Sequence, residues 1–480
     1  MSVLENLSPK EVFKYFEEMS AIPRGSGNMN GIADYCMAFA EKHSLKAARD
    51  EANNVIIYKD ATAGYENSEP VMLQGHLDMV CQKTADSDID FLKDGLELYV
   101  DGDFIKAKNT TLGADNGIAV AIVMSILADN TLSHPPIEAV FTTDEEIGMI
   151  GALHLDAANL SGKKMINLDS EELGTVTVSC AGGSDFRASL PFAKNKVTAT
   201  GVNITVKGLK GGHSGICIDK GRVNSNILAG RLLNFLNKNA DFDLISINGG
   251  DKANAIPLCT EIKLCCNNAA GLVKKADEYL SVIKSEIAFR EPDFCYGIEI
   301  LAEGEYSFIE SEVKNDLICA LLCTPNGVME MSAEIEGLVE TSLNLGVLST
   351  LENEIFMVFA LRSNKKSALK FLEERLLAFF SHLNAKIETG GHYPPWEFNS
   401  NSTLQTVYKD VFKELFGKES KVEAIHAGLE CGVFADKIAG FDCISIGAEM
   451  YDIHTVNERL SISSTETFYK LVTGILQKCK

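Results

Sequence analysis

Histidine and acidic side chains in short polar motifs are distributed over most of the chain, and their chemical types are those that bind divalent metal ions. The candidates are His76, Asp115, Glu145, Glu146, Asp169 and His454. Imidazole and carboxylate groups in this mixture suit zinc or a similar ion, and two such ions can share a bridging carboxylate and a water. A site that deprotonates water beside a spare glutamate is typical of a hydrolase. The sequence therefore favours a metallohydrolase.

The adjacent acidic residues Glu145 and Glu146 follow an apolar segment, and two neighbouring carboxylates repel each other unless a cation compensates their charge. Neighbouring residues near a strand end point in different directions, so one can bind a metal while the other faces water. We expect Glu146 to be the ligand. Glu145 is expected to be the general base that passes a proton from water to the leaving amine. A solvated acidic turn is the alternative for this pair.

Asp78 and Asp115 have roles that their neighbours suggest. Asp78 lies two residues after His76 and is expected to accept a hydrogen bond from the second ring nitrogen, which would orient the ring. Asp115 precedes a strongly apolar segment, and a buried carboxylate needs a partner that two bridged metal ions would provide.

Asp169 and His454 each have a structural alternative. Asp169 could be a helix N-cap with Glu172 as the second member of a capping box, and His454 could be an ordinary surface histidine. For the metal site to be absent, such alternatives would have to hold at several strand ends at once, which is improbable.

Length and charge narrow the class of protein. A chain of 480 residues predicts two or three domains, and the net charge of −23 argues against binding nucleic acid or an anionic membrane through a basic face. No apolar stretch reaches the ~20 residues that a membrane span needs, and no secretory signal is visible. The 13 cysteines have no framework-like spacing and are expected to be reduced, so we predict a cytoplasmic protein.

Strand and helix patterns predict how the site is assembled. Segments 70–74, 137–143 and 164–168 are predicted strands that alternate with helices, as in an α/β fold with a central sheet. His76, Glu145 and Asp169 each follow one of these strands, where open α/β sheets place ligand sites.

A change of pattern near Ser184 predicts a second domain. Two strand–helix–strand units suggest two related lobes. The predicted elements of the first unit are strands 202–208, 241–248 and 261–266 and helix 222–237. Those of the second are strands 330–335 and 354–361 and helix 366–383. Helix 404–416 re-enters the first domain and brings His454 with it, so the metal domain is predicted to be discontinuous.

Three residues of the second domain are candidates for contacting a substrate. His213 in Gly-Gly-His-Ser-Gly could stabilise the oxyanion that forms when water attacks a carbonyl. Arg362 ends a predicted strand and could clamp a carboxylate, with an ion pair inside its own domain as the alternative. Asn254 could add a further donor.

The chain resembles the aminoacyl-histidine dipeptidases (Xaa-His dipeptidase, peptidase D) of the co-catalytic zinc superfamily of dipeptidases, aminoacylases and deacylases. The resemblance extends along essentially the full length. Its motifs are Ala-Ile-Pro-Arg-Gly-Ser-Gly at 21–27, Gly-His-Leu-Asp-Met-Val at 75–80, Thr-Leu-Gly-Ala-Asp-Asn-Gly at 111–117, Asp-Glu-Glu-Ile-Gly, Asn-Leu-Asp-Ser-Glu-Glu, Gly-Gly-His-Ser-Gly, Ala-Asn-Ala-Ile-Pro, the segment 425–432 and His454-Thr455.

The resemblance implies a role for each matched residue. His76 and Asp169 would hold one metal, Glu146 and His454 the other, and Asp115 would bridge them. Asp78, Glu145, His213 and Arg362 would have the roles described above. The implied fold is an aminopeptidase-like α/β catalytic domain with a central mixed sheet, at 1–184 and 395–480. An inserted α+β two-lobed lid domain, at 185–394, would close over the substrate by hinge motion near residues 184 and 394.

The resemblance also implies cofactors, substrate and alternatives. Two divalent ions are expected, zinc first and manganese or cobalt as alternatives. The expected partner is a small dipeptide, Xaa-His and β-Ala-His included, with no nucleic acid and no membrane, and the sequence leaves monomer or homodimer open. An N-acyl amino acid deacylase of the same superfamily would share every ligand, and a non-catalytic metal-binding scaffold is the alternative from another class.

Overall fold

The computed structural model describes residues 2–480, which form two compact units. The first unit contains residues 2–180, Phe398–Ala424 and Leu429–Lys480, and the second contains Ala181–Glu397 and Ile425–Gly428. The division expected from the sequence, 1–184 with 395–480 against 185–394, assigns the short segment Ile425–Gly428 to the first domain. In the structure this segment belongs to the second unit. His426 accounts for this difference, because its ring contacts Ser342 and Asn364 of the second unit.

The chain begins with four helices and eight strands of the first unit. In chain order these are α1 Lys10–Ser20, α2 Asn30–Lys42, β1 Lys46–Arg49, β2 Val55–Lys59, β3 Val71–His76, β4 Leu98–Asp101, β5 Phe104–Ala107, α3 Ala114–Ala128, β6 Ile137–Thr142, α4 Ile150–His154, β7 Lys164–Asn167 and β8 Thr175–Cys180.

The second unit follows without interruption. Its elements are β9 Gly182–Pro191, β10 Lys194–Lys207, β11 Gly212–His213, α5 Ser225–Asn239, β12 Asp243–Gly249, β13 Ala255–Ile256, β14 Thr260–Cys266, α6 Ala269–Ile287, β15 Cys295–Ile309, α7 Ser311–Cys323, β16 Gly327–Met331, β17 Val339–Thr350, β18 Glu354–Ser363, α8 Lys366–His382 and β19 Lys386–Tyr393. The C-terminal elements are α9 Thr403–Phe416, β20 Lys421–Ile425, α10 Glu430–Lys437, β21 Asp442–Ser445, β22 Met450–Tyr451, β23 Arg459–Ser461 and α11 Ile462–Lys478.

An eight-stranded mixed sheet forms the centre of the first unit, in the order β1-β2-β6-β3-β7-β21-β8-β20. Strands β6, β3, β7 and β21 are parallel neighbours, while β1, β2 and β8 pair in the antiparallel sense. Strands β3 and β6 are mostly apolar and buried along their whole length, as expected for strands covered on both faces. A small four-stranded sheet, in the order β22-β23-β5-β4, belongs to the same unit.

Helix α3 is apolar on all sides and almost wholly buried, which marks it as a core helix that packs against β3 and α1. Gly113 directly precedes it in the left-handed conformation, at φ 65°. A Cβ atom at Gly113 would lie 2.6 Å from the sulfur of Met79, so this position also needs glycine for space. Asp115 and Asn116 depart from helical geometry inside the first turn, and the peptide bond between them is cis.

The second unit contains a nine-stranded sheet whose main path is β14-β10-β15-β12-β17-β18-β9-β19, with β16 paired to β17. Helices α5, α6 and α8 pack on this sheet and share one apolar core with it. The prediction of a strand at 330–335 is wrong. Strand β16 ends at Met331, the chain turns through residues 332–338, and β17 begins at Val339.

Candidate metal centre and active site

Three of the candidate ligands, His76, Glu146 and Asp169, lie at or just after the carboxyl ends of parallel strands. His76 is the last residue of β3 and pairs in register with Thr142, the last residue of β6. Glu145 and Glu146 follow β6, and Asp169 follows β7. Because parallel strands end at one edge of a sheet, these side chains are brought together there. No helix begins between β7 and β8 in the described chain, so the N-cap alternative for Asp169 is not observed.

Five side chains converge at this edge. Ligand atoms of His76, Asp115 and Glu146 all lie within 4.8 Å of one another. His454 Nε2 lies 2.9 Å from Glu146 Oε1 and 3.1 Å from Asp115 Oδ2. His76 Nε2 lies 3.1 Å from Asp115 Oδ1 and 3.4 Å from Asp169 Oδ1. The two oxygens of the Asp115 carboxylate therefore lie near different histidines, Oδ1 near His76 and Oδ2 near His454.

Burial and the negative charge of this cluster shift several pKa values. Hydrogen bonds to Asp115 and Glu146 raise the pKa of His454 to about 10. Burial raises the pKa of Asp169 to about 6. Burial and the charges of Asp169 and other nearby carboxylates raise the pKa of Glu145 well above its usual value. Each shift favours an added positive charge, so the site attracts cations.

Divalent metal ions fit this donor set. Two imidazole nitrogens and three carboxylates, of Asp115, Glu146 and Asp169, supply the nitrogen and oxygen ligands that zinc and similar ions prefer. The mutual distances near 3 Å between donor atoms match neighbouring ligands of one ion, because ligand bonds of about 2 Å meet at tetrahedral angles.

Asp78 has more contacts than the expected one to His76. His76 Nδ1 lies 3.2 Å from the main-chain oxygen of Asp78 and 3.4 Å from its Oδ1. The same carboxylate accepts hydrogen bonds from the amides of Glu145 at 3.0 Å and Glu146 at 3.3 Å, and from the Ser26 hydroxyl at 2.8 Å. Asp78 therefore contacts the ring of His76 and also hydrogen-bonds to the backbone that carries the acidic pair.

His213, Asn254 and Arg362 lie together in the second unit. Strand β11 ends at His213 and pairs with β13, and the Ser214 amide donates to the main-chain oxygen of Asn254 at 2.8 Å. Arg362 Nη2 lies 3.5 Å from His213 Nε2. Arg362 Nη1 donates to the Tyr393 hydroxyl at 2.7 Å, so this nitrogen binds a phenol rather than the carboxylate of an ion pair.

The hydrogen bonds of His213 define which ring nitrogen carries the proton. The amides of Gly215 and Ile216 donate to its Nδ1 at 3.2 and 3.3 Å. Burial and the positive charge of Arg362 lower the pKa of His213, which keeps the ring neutral. In a neutral ring whose Nδ1 accepts, Nε2 bears the hydrogen and is a donor. That is the form that an oxyanion would need.

A match to a protein-family model identifies the family. Residues 72–478 match the model of peptidase family M20/M25/M40. The chain belongs to this family. The M20 peptidase is 36% identical over 482 aligned positions to the cytosol non-specific dipeptidase of Escherichia coli (strain K12), covering 100% of this chain and 99% of that protein. The family and the fold class expected from the sequence are confirmed.

Solved structures agree with this assignment. The aminoacylhistidine dipeptidase of Vibrio alginolyticus superimposes with a TM-score of 0.92 at 36% identity, covering 99% of this chain and 98% of that one. The aminopeptidase PepT of Bacillus cereus shares the fold, with a TM-score of 0.57 at 14% identity over 98% and 99% of the two chains. Members of the family use divalent metal ions. None of the helices within residues 2–480 is both long and apolar enough to cross a membrane.

Asn116 is a positioning residue of the M20 peptidase that the sequence did not reveal. Its Oδ1 accepts a hydrogen bond from the His76 amide at 3.2 Å, and its Nδ2 donates to the Leu168 oxygen at 2.9 Å. A Cβ atom at Gly75 would lie 2.4 Å from Asn116 Oδ1, so only glycine lets the amide approach. One side chain therefore links the ends of β3 and β7 to the turn that carries Asp115.

Glu458 and Arg24 hold the same turn from both sides. The Glu458 carboxylate accepts hydrogen bonds from four consecutive amides, those of residues 112–115, at 2.7, 3.0, 2.8 and 3.4 Å. Arg24 is buried and donates to the main-chain oxygens of Leu77 at 3.0 Å and of Gly113. A signal existed in the sequence, because Arg24 lies in the Ile-Pro-Arg motif, but its partners are far along the chain.

Glu430 lies at the start of α10 and is fully buried. Its Oε2 accepts hydrogen bonds from Gln74 at 2.5 Å and from Thr142 at 2.7 Å. Burial raises its pKa to about 7. These contacts link the carboxyl-terminal parts of β3 and β6. In the sequence, Glu430 is marked only by the motif at 425–432, which does not reveal these partners.

Proposed function

We propose that this chain is a metal-dependent dipeptidase that hydrolyses Xaa-His and other dipeptides, β-Ala-His included. The observation that carries the proposal is the convergence of His76, Asp115, Glu146, Asp169 and His454 at one sheet edge, with Glu145 close enough to interact electrostatically with His76, Asp169 and Glu146. The names of two full-length relatives at 36% identity, a non-specific dipeptidase and an aminoacylhistidine dipeptidase, support the substrate class.

The proposed metal assignment uses all five ligands. His76 and Asp169 would hold one ion, Glu146 and His454 the other, and Asp115 would bridge them, in line with its contacts to both histidines. Zinc is the expected ion, with manganese and cobalt as alternatives. Divalent ions held there would polarise a peptide carbonyl and lower the pKa of nearby water.

The protein's own groups are proposed to move the protons and hold the substrate. Glu145 takes a proton from the attacking water and gives it to the leaving amine, a role suited to a carboxyl whose pKa burial raises. His213 donates from Nε2 to the carbonyl oxygen as negative charge develops on it. Arg362 binds the C-terminal carboxylate of the dipeptide, and Asn254 adds a donor.

A substrate panel tests the proposal. The protein is stripped with a chelator, and hydrolysis of Xaa-His dipeptides, dipeptides without histidine and N-acetyl amino acids is measured before and after adding Zn²⁺, Mn²⁺ or Co²⁺. We expect metal-restored cleavage of dipeptides and no cleavage of the acetylated compounds. Preference for the acetylated compounds would assign a deacylase instead, and binding of metal without any turnover would assign a scaffold.

Matched variants tie the activity to this site. Glu145→Gln should lower kcat by ~10²- to 10⁴-fold, because a general base is lost, while binding of metal is retained. Glu97→Gln, an exposed position of the same unit, should leave the rate unchanged. Retained activity in Glu145→Gln would refute its assignment.

The cytosolic name of the Escherichia coli relative supports a cytoplasmic location, which stays a prediction.

A further inference from the structure

Arg362 and Tyr393 lie on one row across three neighbouring strands of the second unit. In the antiparallel ladders, Arg362 of β18 pairs with Gly183 of β9, and Gly183 pairs on its other side with Tyr393 of β19. Residues directly opposite each other in a sheet project to the same face. The two long side chains therefore meet above a residue that has no side chain.

Gly183 is required for this contact because the phenol lies over it. A Cβ atom at Gly183 would be 2.5 Å from Tyr393 Oη and 2.6 Å from its Cζ. The register of β19 also breaks between Gly390 and Tyr393, where Gly391 has φ 60°. Bulges of this kind re-aim a side chain. The missing side chain at Gly183 and the bulge at Gly391 thus place the Tyr393 hydroxyl beside the guanidinium of Arg362.

The contact fixes one nitrogen of a buried guanidinium and leaves others for a ligand. Arg362 is 8% exposed, its Nη1 donates to Tyr393 Oη at 2.7 Å, and its Nε has no hydrogen-bond partner. Nη2 lies 3.5 Å from His213 Nε2, which also bears a hydrogen. Two donors side by side cannot bond to each other, so both suit one anionic acceptor.

We propose that Tyr393 is a positioning residue that holds Arg362 in the orientation that binds the C-terminal carboxylate of a dipeptide, and that Gly183 makes this possible. The proposal rests on the carboxylate-binding role proposed for Arg362. Without the phenol oxygen, the guanidinium would lose its anchor at Nη1 and could turn among several orientations. The loss falls on substrates with a free carboxylate, because a neutral carboxamide gains little from a charged donor.

Kinetics of the metal-loaded full chain test this role. The wild type, Tyr393→Phe, Arg362→Ala and the double variant are compared on a dipeptide and on the same dipeptide with a C-terminal amide. We expect Tyr393→Phe to raise KM for the free acid by about tenfold, with kcat within about threefold, the size expected for an anchor bonded to a charged group. KM for the amide should not change, and in the Arg362→Ala background Tyr393→Phe should add nothing.

Matched controls separate positioning from general damage. Gly183→Ala should reproduce the KM effect of Tyr393→Phe. The second unit contains a similar pair away from Arg362, where a Cβ atom at Gly201 would lie 2.6 Å from Tyr306 Oη. Tyr306→Phe and Gly201→Ala should therefore leave KM for both substrates unchanged.

The outcomes distinguish the two proposals. If Arg362→Ala raises KM for acid and amide equally, the carboxylate role of Arg362 is overturned, and the role of Tyr393 with it. If Arg362→Ala separates the two substrates but Tyr393→Phe does not, only the positioning role is overturned. An additive effect of Tyr393→Phe in the Arg362→Ala background would also overturn it.

Discussion

Glu458 shows how one side chain can define the geometry of a candidate metal site without being one of its five candidate ligands. Its two oxygens accept four consecutive amides of residues 112–115, and Asp115 is the residue whose carboxylate oxygens lie near both histidines. The carboxylate therefore fixes the backbone from which the candidate bridging ligand projects. Groups that orient ligands commonly contribute ten- to hundredfold to metal affinity.

Replacing Glu458 with glutamine tests this role. A glutamine offers one acceptor oxygen, and its NH₂ group would face amides that need an acceptor, so the turn at Asp115 should loosen. We expect metal affinity to fall by ~10- to 100-fold in a competition titration with a chromogenic chelator.

Glu138→Gln is the matched control for this prediction. Glu138 is also buried and accepts hydrogen bonds from the Ser161 amide at 2.9 Å and the Gly162 amide at 3.1 Å, near the amino end of β6 and so at the opposite end of that strand from Glu146. That variant should lose stability without losing metal affinity. Equal affinity losses in both variants would show that Glu458 acts only through general stability.

The strands, rather than single motifs, explain how much of the site could be predicted. His76, the Glu145–Glu146 pair and Asp169 can be located from the sequence because each follows a short apolar segment with the pattern of a strand, and that pattern is local in sequence. The roles of Asn116, Glu430 and Glu458 cannot be predicted in this way, because their partners lie 40 to 356 positions away and no local pattern indicates such contacts.

Strand β17 shows why part of the fold could not be predicted either. Its small and polar residues, Asn344 and Gly346 among them, resemble a loop. In the structure Asn344 Nδ2 donates to the main-chain oxygens of Ala253 at 3.0 Å and Ala255 at 2.8 Å. Residue Gly346 is needed because a Cβ atom there would be 2.4 Å from the Ala253 oxygen. The Asn344 side-chain amide is therefore hydrogen-bonded by a segment about 90 residues away in the sequence.

The segment Ile425–Gly428 contributes a buried neutral histidine to the second unit. His426 Nε2 accepts from the Ser342 hydroxyl at 2.7 Å, and Nδ1 lies 3.2 Å from Asn364 Oδ1. Burial first, and then the positive charge of Arg362, lower the pKa of His426 to about 3. Asp219 opposes this shift, and His213 adds to it.

Acidification should therefore destabilise the second unit through His426. The unfolded chain takes up a proton at an ordinary histidine pKa of about 6.5, while the folded unit does so only near 3, so stability is lost as pH falls from about 6.5 towards 3. The slope is about 1.4 kcal/mol per pH unit, or roughly 2 kcal/mol by pH 5. Hydrogen exchange of the β17 and β18 amides at pH 7, 6 and 5 measures it.

His426→Gln should flatten this dependence, because glutamine can donate and accept without titrating. The stability difference between the wild type and His426→Gln should then shrink between pH 7 and pH 5. An exposed histidine of the same unit, replaced in His382→Gln, should leave the slope unchanged. Parallel pH profiles for the wild type and His426→Gln would contradict the assignment.

At the scale of the whole molecule, the candidate metal site joins parts of the first unit that are distant in sequence. Its ligands run from His76 to His454, and they come from five separate segments, namely the end of β3, the first turn of α3 and the loops that follow β6, β7 and β22. Three carboxylates meet there in a chain whose net charge is already −23. Divalent ions would neutralise this repulsion and link the loops.

Removing the metal should therefore destabilise the first unit selectively. A ligand at 1,000 times its Kd stabilises the folded state by about 4 kcal/mol per site, and this contribution disappears when a chelator takes the ion away. We expect hydrogen exchange to lose protection around His76, Asp115 and His454 and in strands β3, β6 and β7. The core of the second unit, in α5, β10 and β14, holds none of these ligands and should keep its protection. In Asp115→Asn, which weakens the bridge, the chelator should have a smaller effect because less metal is bound at the start. Equal loss of protection in both units would mean that the metal stabilises the chain by a route other than these five side chains.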